Sequence, residues 1–252
     1  MHIPRILRRS AVALAASVLV AVGLATPAQA GPAPALAATQ TPGIDVSHYQ
    51  GAINWTSVRN AGIQFAYIKS TEGIAYKDPN FNTYYPAAYH AGVIRGAYHF
   101  ALPDRSTGAA QADFLVNNGG AWSADNLTLP AALDIEYNPY GATCYGKSAS
   151  AMVAWINDFL NRYHARTGRW AVVYSTTNWW QTCTGNYAGF ANNSPLWLAR
   201  YASAPGTLPA GWPVYTIWQY TSTGSMAGVP GNVDRDYFNG DRSRLLALAN
   251  NT

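Results

Sequence analysis

The sequence predicts an α/β fold: an irregular TIM-like barrel of about five βα units followed by three strands without full helices. Three observations lead there. Short apolar runs alternate with amphipathic segments of helical period, the pattern of a parallel sheet with crossover helices. About 210 residues follow the N-terminal segments, a length that suits one closed barrel. After Tyr174 the alternation stops, and strand-like runs are joined by links of Pro, Gly and Ser.

Residues 1–30 read as a signal peptide. Arg5, Arg8 and Arg9 precede the apolar run Ala11–Ala25, and Ala28-Gln29-Ala30 is a small-x-small cleavage site. The Arg8-Arg9 doublet is compatible with a twin-arginine route. Residues 31–41, rich in Ala and Pro, form a flexible leader. Residues 42–252 are then expected to form one barrel domain of a secreted, extracellular chain.

In chain order, Ile44-Asp-Val-Ser-His48 opens the fold as a short strand ending in polar residues. Trp55–Ala61 gives one or two helical turns closed by Gly62. Phe65–Lys69 is the second strand, and Asn80–His90 is a helix stopped near Gly92. Arg95–Phe100 is the third strand, and Thr107–Val116 a helix ended by Asn-Asn-Gly-Gly. Pro130-Ala-Ala-Leu-Asp-Ile-Glu-Tyr137 is the fourth strand. In Ala149–Arg166, residues Met152, Trp155, Ile156, Phe159, Leu160 and Tyr163 recur at three- and four-residue steps, and Gly168 follows as a C-cap. Trp170–Tyr174 is the fifth strand. Leu196–Tyr201, Thr216–Tyr220 and Val233–Tyr237 are the strands without helices, with Trp179-Trp180 in a loop before them. Arg242–Ala249 is a short last helix.

Charge excludes one class of function. The chain has 16 Lys+Arg against 12 Asp+Glu. Removing the signal takes away three Arg and no acid, leaving 13 against 12 and no basic cluster, so nucleic acid is not an expected partner. No membrane association is expected after signal removal, and the chain is expected to act as a monomer. Two cysteines, Cys144 and Cys183, are expected to pair in an exported chain. They follow the fourth and fifth strands and would be neighbours on one barrel face. No His-Glu-x-x-His, Cys/His cluster, Gly-x-Ser-x-Gly or glycine-rich phosphate loop is present in the sequence, so no metal or cofactor is implied.

The chemistry points to Asp134 and Glu136. Residues two apart on a strand share a face, with backbones ~6.5–7 Å apart. Two acids in one pocket repel, and burial pushes their pKa values apart, leaving a proton donor beside an anion. That pairing suits hydrolysis of a glycosidic bond. Asp45, Lys69, His99 and Arg200 also fall near strand ends, where parallel barrels carry their active face. His48 and His99 read as packed, hydrogen-bonded residues, and Lys69 and Arg200 as balancing charges or substrate contacts. Nine Trp and 17 Tyr supply aromatic walls for sugar faces.

The chain resembles glycoside hydrolase family 25, the secreted bacterial and phage muramidases. The resemblance rests on Gly43-Ile-Asp-Val-Ser-His-Tyr-Gln-Gly51, Ala66-Tyr-Ile-Lys-Ser-Thr-Glu-Gly73, Gly96-Ala-Tyr-His-Phe100, Leu133-Asp-Ile-Glu136, Val173-Tyr-Ser175, Leu196-Trp-Leu-Ala-Arg-Tyr201, Ile217-Trp-Gln-Tyr220 and Val233-Asp-Arg-Asp-Tyr-Phe238. It implies cleavage of the β-1,4 bond between N-acetylmuramic acid and N-acetylglucosamine in bacterial peptidoglycan. It also implies Glu136 as general acid, Asp134 as its partner carboxylate, and Asp45 and Asp234 as further acids of the pocket. Tyr98 and Tyr174 match tyrosines of the cleft. Tyr137, Trp197, Trp218 and Arg200 are further candidates for substrate binding. The chain departs from the family pattern at Asp236, where such motifs often carry Asn, and Asp234 is favoured as the acid facing the sugar.

Asp134 is expected to remain ionised beside a protonated Glu136. The strand spacing lies near that for inversion, ~6.5–9.5 Å, rather than the ~5–5.5 Å of a nucleophile pair. A substrate 2-acetamido group can itself attack the anomeric carbon, so assisted retention is the preferred course. The alternatives are a chitinase-like hydrolase, whose motif would carry Asp at the position of Ala132, and a non-catalytic wall-binding module, which would lack the acid pair.

Overall fold

A computed structural model describes residues 39–252; the expected signal peptide and most of the expected leader lie outside these. Five βα units come first. They are β1 (Gln40–Val46) with α1 (Trp55–Asn60), β2 (Phe65–Glu72) with α2 (Phe81–His90), β4 (Ile94–Phe100) with α3 (Gly108–Leu115), β5 (Ala132–Asp134) with α4 (Ala149–Thr167), and β6 (Val172–Ser175) with α5 (Thr177–Thr184). A two-residue strand, β3 (Tyr76–Lys77), folds back on the end of β2. Then come β7 (Leu196–Ala199), β8 (Ile217–Met226), β9 (Val229–Asn239) and a last helix, α6 (Arg242–Asn250). The first strand starts at Gln40, inside the leader expected at 31–41.

Eight strands close a barrel in the order β1-β9-β8-β7-β6-β5-β4-β2, and parallel pairing of β1 with β2 completes the ring. The barrel is mixed: β9 runs antiparallel to both β8 and β1. Hydrophobic alternation is the same for either strand direction, so the sequence carries no local signal for this reversal.

Capping explains why the helices begin and end where expected. Asn54, Thr107, Ser148 and Asp241 each accept a backbone N–H of the first turn, and Gly168 ends α4 in the left-handed conformation (φ 71°). The expected apolar stripe of α4, from Met152 to Tyr163, is buried. α5 is the correction. Trp179 and Trp180, expected in a loop, are fully buried on this helix, which Thr176 caps. Its eight residues are mostly weak helix formers, so packing rather than propensity holds it.

Two apolar layers follow from strand alternation. Ala66, Ile68, Ala97, Leu133, Val173, Leu196 and Leu198 face outward and pack with the helices. Phe65, Tyr67, Ile94, Ala132, Val172, Tyr174, Trp197 and Ile217 fill the barrel interior, joined at one end by Leu245 and Ala249 of α6. Gly96 makes room inside: a Cβ there would meet the Tyr67 ring at 2.4 Å. Tyr67 in turn stacks on Trp197 (4.7 Å between centroids) and donates to the Pro130 carbonyl at 2.9 Å.

The Cys144–Cys183 disulfide is formed, with Cα atoms 5.3 Å apart. It ties the loop after β5 to α5; Cys183 sits on that helix rather than in a loop.

Candidate active site

Counting by two along the inward faces gives the site. Phe65 and Tyr67 point inside, so Lys69 follows them; Ala132 leads to Asp134, Val172 to Tyr174, and Ile217 to Gln219. At the end of the barrel where β1, β2 and β4–β8 finish, apolar filling gives way to these polar residues. Together they line a cavity of about 250 Å³ that also includes Asp45, Tyr98, Trp197, Asp234 and Glu136. Hollows of about 390 and 470 Å³ elsewhere are larger but bring no two carboxylates together. Chemistry, not size, singles out this one.

β5 is shorter than expected and ends at Asp134. Glu136 lies just beyond it, half-buried on the same face, while Asp134 is deeper, at 7% exposure. Burial, first, and then the charge of Glu136 push Asp134 well above the usual carboxylate range. Burial and the charge of Asp234 push Glu136 up to about 7. Lys69 opposes both shifts from the cavity wall. Its Nζ is held by Glu72 Oε2 at 2.6 Å and lies 5.1 Å from the Phe100 ring centroid. Burial and mutual repulsion thus favour a proton on the acid pair. Both acids are raised, and Asp134, expected to stay ionised, is the more deeply buried of the two. Asp134 Oδ1 is buried with no hydrogen-bond partner.

Asp45 and Asp234 are directly opposed across β1 and β9. Asp45 accepts from Gln219 Nε2 at 2.7 Å, and Gln219 Oε1 accepts from the Tyr174 hydroxyl at 2.9 Å. Burial raises Asp45 well above its ordinary value and Asp234 to about 6. Asp234 lines the cavity. Asp236, on the same face of β9, sits behind it, 1% exposed, and accepts from Trp197 Nε1 at 2.8 Å.

Of the expected substrate-binding residues, Tyr98, Tyr174 and Trp197 meet at the cavity, with Tyr98 and Tyr174 set edge-on to the Trp197 ring. Tyr137 does not line it: its side chain is exposed, and its hydroxyl accepts from Asn178 Nδ2 at 2.9 Å. Arg200 is exposed and lies against Gly206. Trp218 faces the outer layer, among Tyr215, Tyr220 and Tyr237, and donates to the Arg200 carbonyl at 2.8 Å. The reason is parity: Ile217 and Gln219 point inward, so Trp218 between them cannot.

Gln219, Tyr201, Tyr49 and Gln50, not among the expected site residues, also line the cavity. For Gln219 a signal existed, two residues after an inward Ile217. Tyr49 and Gln50 lie on a 3-10 turn after β1, His48–Gln50, and had no strand parity to place them. His48 contacts Asp78 at 2.9 Å. His99 is buried between Thr71 and Gln111, and desolvation lowers it to about 4, so it is neutral at pH 7.

Residues 44–229 match the sequence profile described as Glycosyl hydrolases family 25. The chain is 59% identical over 210 residues to "Lysozyme M1" of Streptomyces globisporus, covering 83% of this chain and 71% of that one. It is 48% identical over 211 residues to the "N,O-diacetylmuramidase" of Chalaropsis sp, covering 82% of this chain and 98% of that protein. Among solved structures, the bacterial lysozyme from Streptomyces coelicolor is similar at a TM-score of 0.83 and 59% identity, over 85% of this chain and 99% of that one.

Proposed function

Since the chain belongs to glycosyl hydrolases family 25 and is a peptidoglycan muramidase, we propose that Glu136 is its general acid and Asp134 the carboxylate that positions the substrate amide. The observation that carries this reading is the buried pair itself: Asp134 without a partner on Oδ1, and Glu136, raised to about 7 by burial and the charge of Asp234, in the wall of the same cavity.

The sugar whose β-1,4 bond is cleaved carries a 2-acetamido group. Its N–H, placed on Asp134 Oδ1, satisfies the orphaned oxygen and stabilises the charged form of Asp134. The proton of the pair then belongs to Glu136, which delivers it to the leaving oxygen. The acetamido oxygen, oriented by Asp134, attacks the anomeric carbon, and water later opens the resulting ring with Glu136 as base, so configuration is retained. Asp45 and Asp234 place negative potential where positive charge develops. Tyr98, Tyr174 and Trp197 give the sugar an aromatic floor. Tyr137 and Arg200, outside the cavity, are available to the glycan beyond the cleaved bond. The disulfide accords with an extracellular place of work, as does the signal-like segment 1–30.

The test is digestion of purified peptidoglycan by the wild type and Glu136→Gln, with identification of the new reducing ends. N-acetylmuramic acid ends, and a rate at least ~10²-fold lower in the variant, support the assignment. Glucosamine ends would make the enzyme a glucosaminidase; an active variant would remove Glu136 from the mechanism. An inverted product anomer in early NMR spectra would rule out acetamido assistance.

A further inference from the structure

Asp236 has no role in the reaction as described, yet it is the most deeply buried acid of the site. One oxygen, Oδ1, accepts from Trp197 Nε1 at 2.8 Å; the other, Oδ2, is buried and receives no hydrogen bond from any N–H or hydroxyl. The neighbouring acid is Asp45 on the adjacent β1, whose register partner Asp234 lies two residues before Asp236 on the same face of β9. Asp45 in turn has Oδ2 occupied by Gln219 Nε2 at 2.7 Å. Two adjacent carboxyl groups, both under 7% exposed, cannot both carry full charge without a cation; their hydrogen-bond partners, Trp197 and Gln219, are neutral, and the charged group beside them is another acid, Asp234.

We propose that Asp45 and Asp236 share a single proton behind the catalytic cavity, and that Asp236 is thereby a positioning residue for the reaction. The proton fills the gap at Asp236 Oδ2 and turns a repulsive contact into a hydrogen bond. It also holds the cavity's inner wall in register: Trp197 is tied to Asp236, Asp236 to Asp45, Asp45 to Gln219, and Gln219 to Tyr174. Both aromatic residues of that chain line the cavity. The inference deepens the catalytic reading of the cavity and rests on it for its effect on rate, though not for the proton itself.

The charged and titratable neighbours set the consequence. Asp45 comes from β1, Tyr67 from β2 and Tyr220 from β8; Asp234 and Arg235 belong to Asp236's own strand, with the Arg235 guanidinium 6.0 Å from the Tyr220 ring centroid. With one proton the pair carries one negative charge. Loss of that proton places a second charge beside Asp234 in a buried space. The Asp45–Asp236 contact becomes repulsive, and the wall moves. Desolvation holds Asp236 up to about 8 and Asp45 well above its ordinary value, so the loss falls on the alkaline side.

Asp236→Asn is the test. Asn keeps an oxygen for Trp197 and presents an N–H to an ionised Asp45, so the pair retains one negative charge but no proton to lose. Near pH 6 the variant should hydrolyse peptidoglycan within about threefold of wild type. In the wild type, kcat/KM should fall about tenfold per pH unit once Glu136 ionises, steepening toward about a hundredfold per unit when the pair ionises; the variant should keep the shallower slope throughout. Independently, the pH dependence of unfolding between pH 5 and 7 should show the wild type releasing about one more proton on unfolding than the variant. Equal slopes together with equal proton release would overturn the proposal. Should Asp236→Asn fold poorly, Asp45→Asn decides on proton release alone and should lose the same proton; release unchanged from wild type would sink the idea. Full activity in Glu136→Gln would remove the catalytic reading while leaving this proton count intact.

Discussion

Asp45 and Asp234 stand opposite one another across the antiparallel β1–β9 pair, two acids at one rung of the ladder. Like-charged side chains directly opposed weaken a sheet, and here burial adds to the penalty. Asp234 is pushed to about 6 from an ordinary 3.8. A carboxyl with a raised folded-state pKa binds its proton more tightly folded than unfolded, so its contribution to stability falls as pH rises from about 4 to 6 and is gone above that.

Replacing Asp234 with Asn should therefore stabilise the protein by roughly 1–3 kcal/mol at pH 7, little at pH 4, and lower kcat. Urea unfolding at the two pH values reads the first effect and reducing-end release the second. A variant no more stable at pH 7 than wild type would show that Asp234 is at ease in its place.

The second expectation concerns the pH profile. Glu136, protonated up to about 7, supplies its proton only below that value, so kcat/KM should decline as pH rises through neutrality. Lys69 opposes this upward shift, so Lys69→Met should raise the Glu136 pKa and carry the alkaline limb to higher pH. Movement of the limb to lower pH in that variant would contradict the assignment.

Trp218 offers a negative control. Its ring lies in the outer layer and its Nε1 serves the Arg200 carbonyl. Trp218→Phe should cost about 0.5–1.5 kcal/mol of stability through the lost hydrogen bond while leaving KM within about twofold. A large rise in KM at unchanged stability would return Trp218 to the substrate.

The Cys144–Cys183 bridge closes a loop spanning 39 positions. In the chain-entropy account, the double variant Cys144→Ala/Cys183→Ala should lose up to about 4 kcal/mol. Denaturant melts of the two proteins measure it; a loss below about 1 kcal/mol would mean that packing of Trp179 and Trp180 holds α5 without the bridge.

Much of this architecture was legible in the sequence, and the exceptions have causes. α4 was readable because six apolar residues recur at helical steps between Ser148 and Gly168. α5 was not, since Thr, Asn and Trp carry little helical signal and the helix exists through its burial. The acid pair stood out because an apolar strand ended in two carboxylates. Trp218 was misplaced by weighing residue type over parity, and the same parity, applied to Ile217, would have found Gln219. The reversed direction of β9 had no local trace. It arises from how the ring closes, and only the assembled sheet contains that information.

That closure has a kinetic side. The strand that completes the ring carries Asp234 and pairs with β1 near the opposite end of the described chain; the Thr41 hydroxyl donates to the Gly240 carbonyl at a separation of 199 positions. Contacts so distant in sequence are made late, after most loop-closure entropy has been lost, and they slow folding. Asp45 and Asp234 therefore meet only once the two ends of the described chain have come together. A nascent or still-extended chain carries every residue of the site and none of its activity.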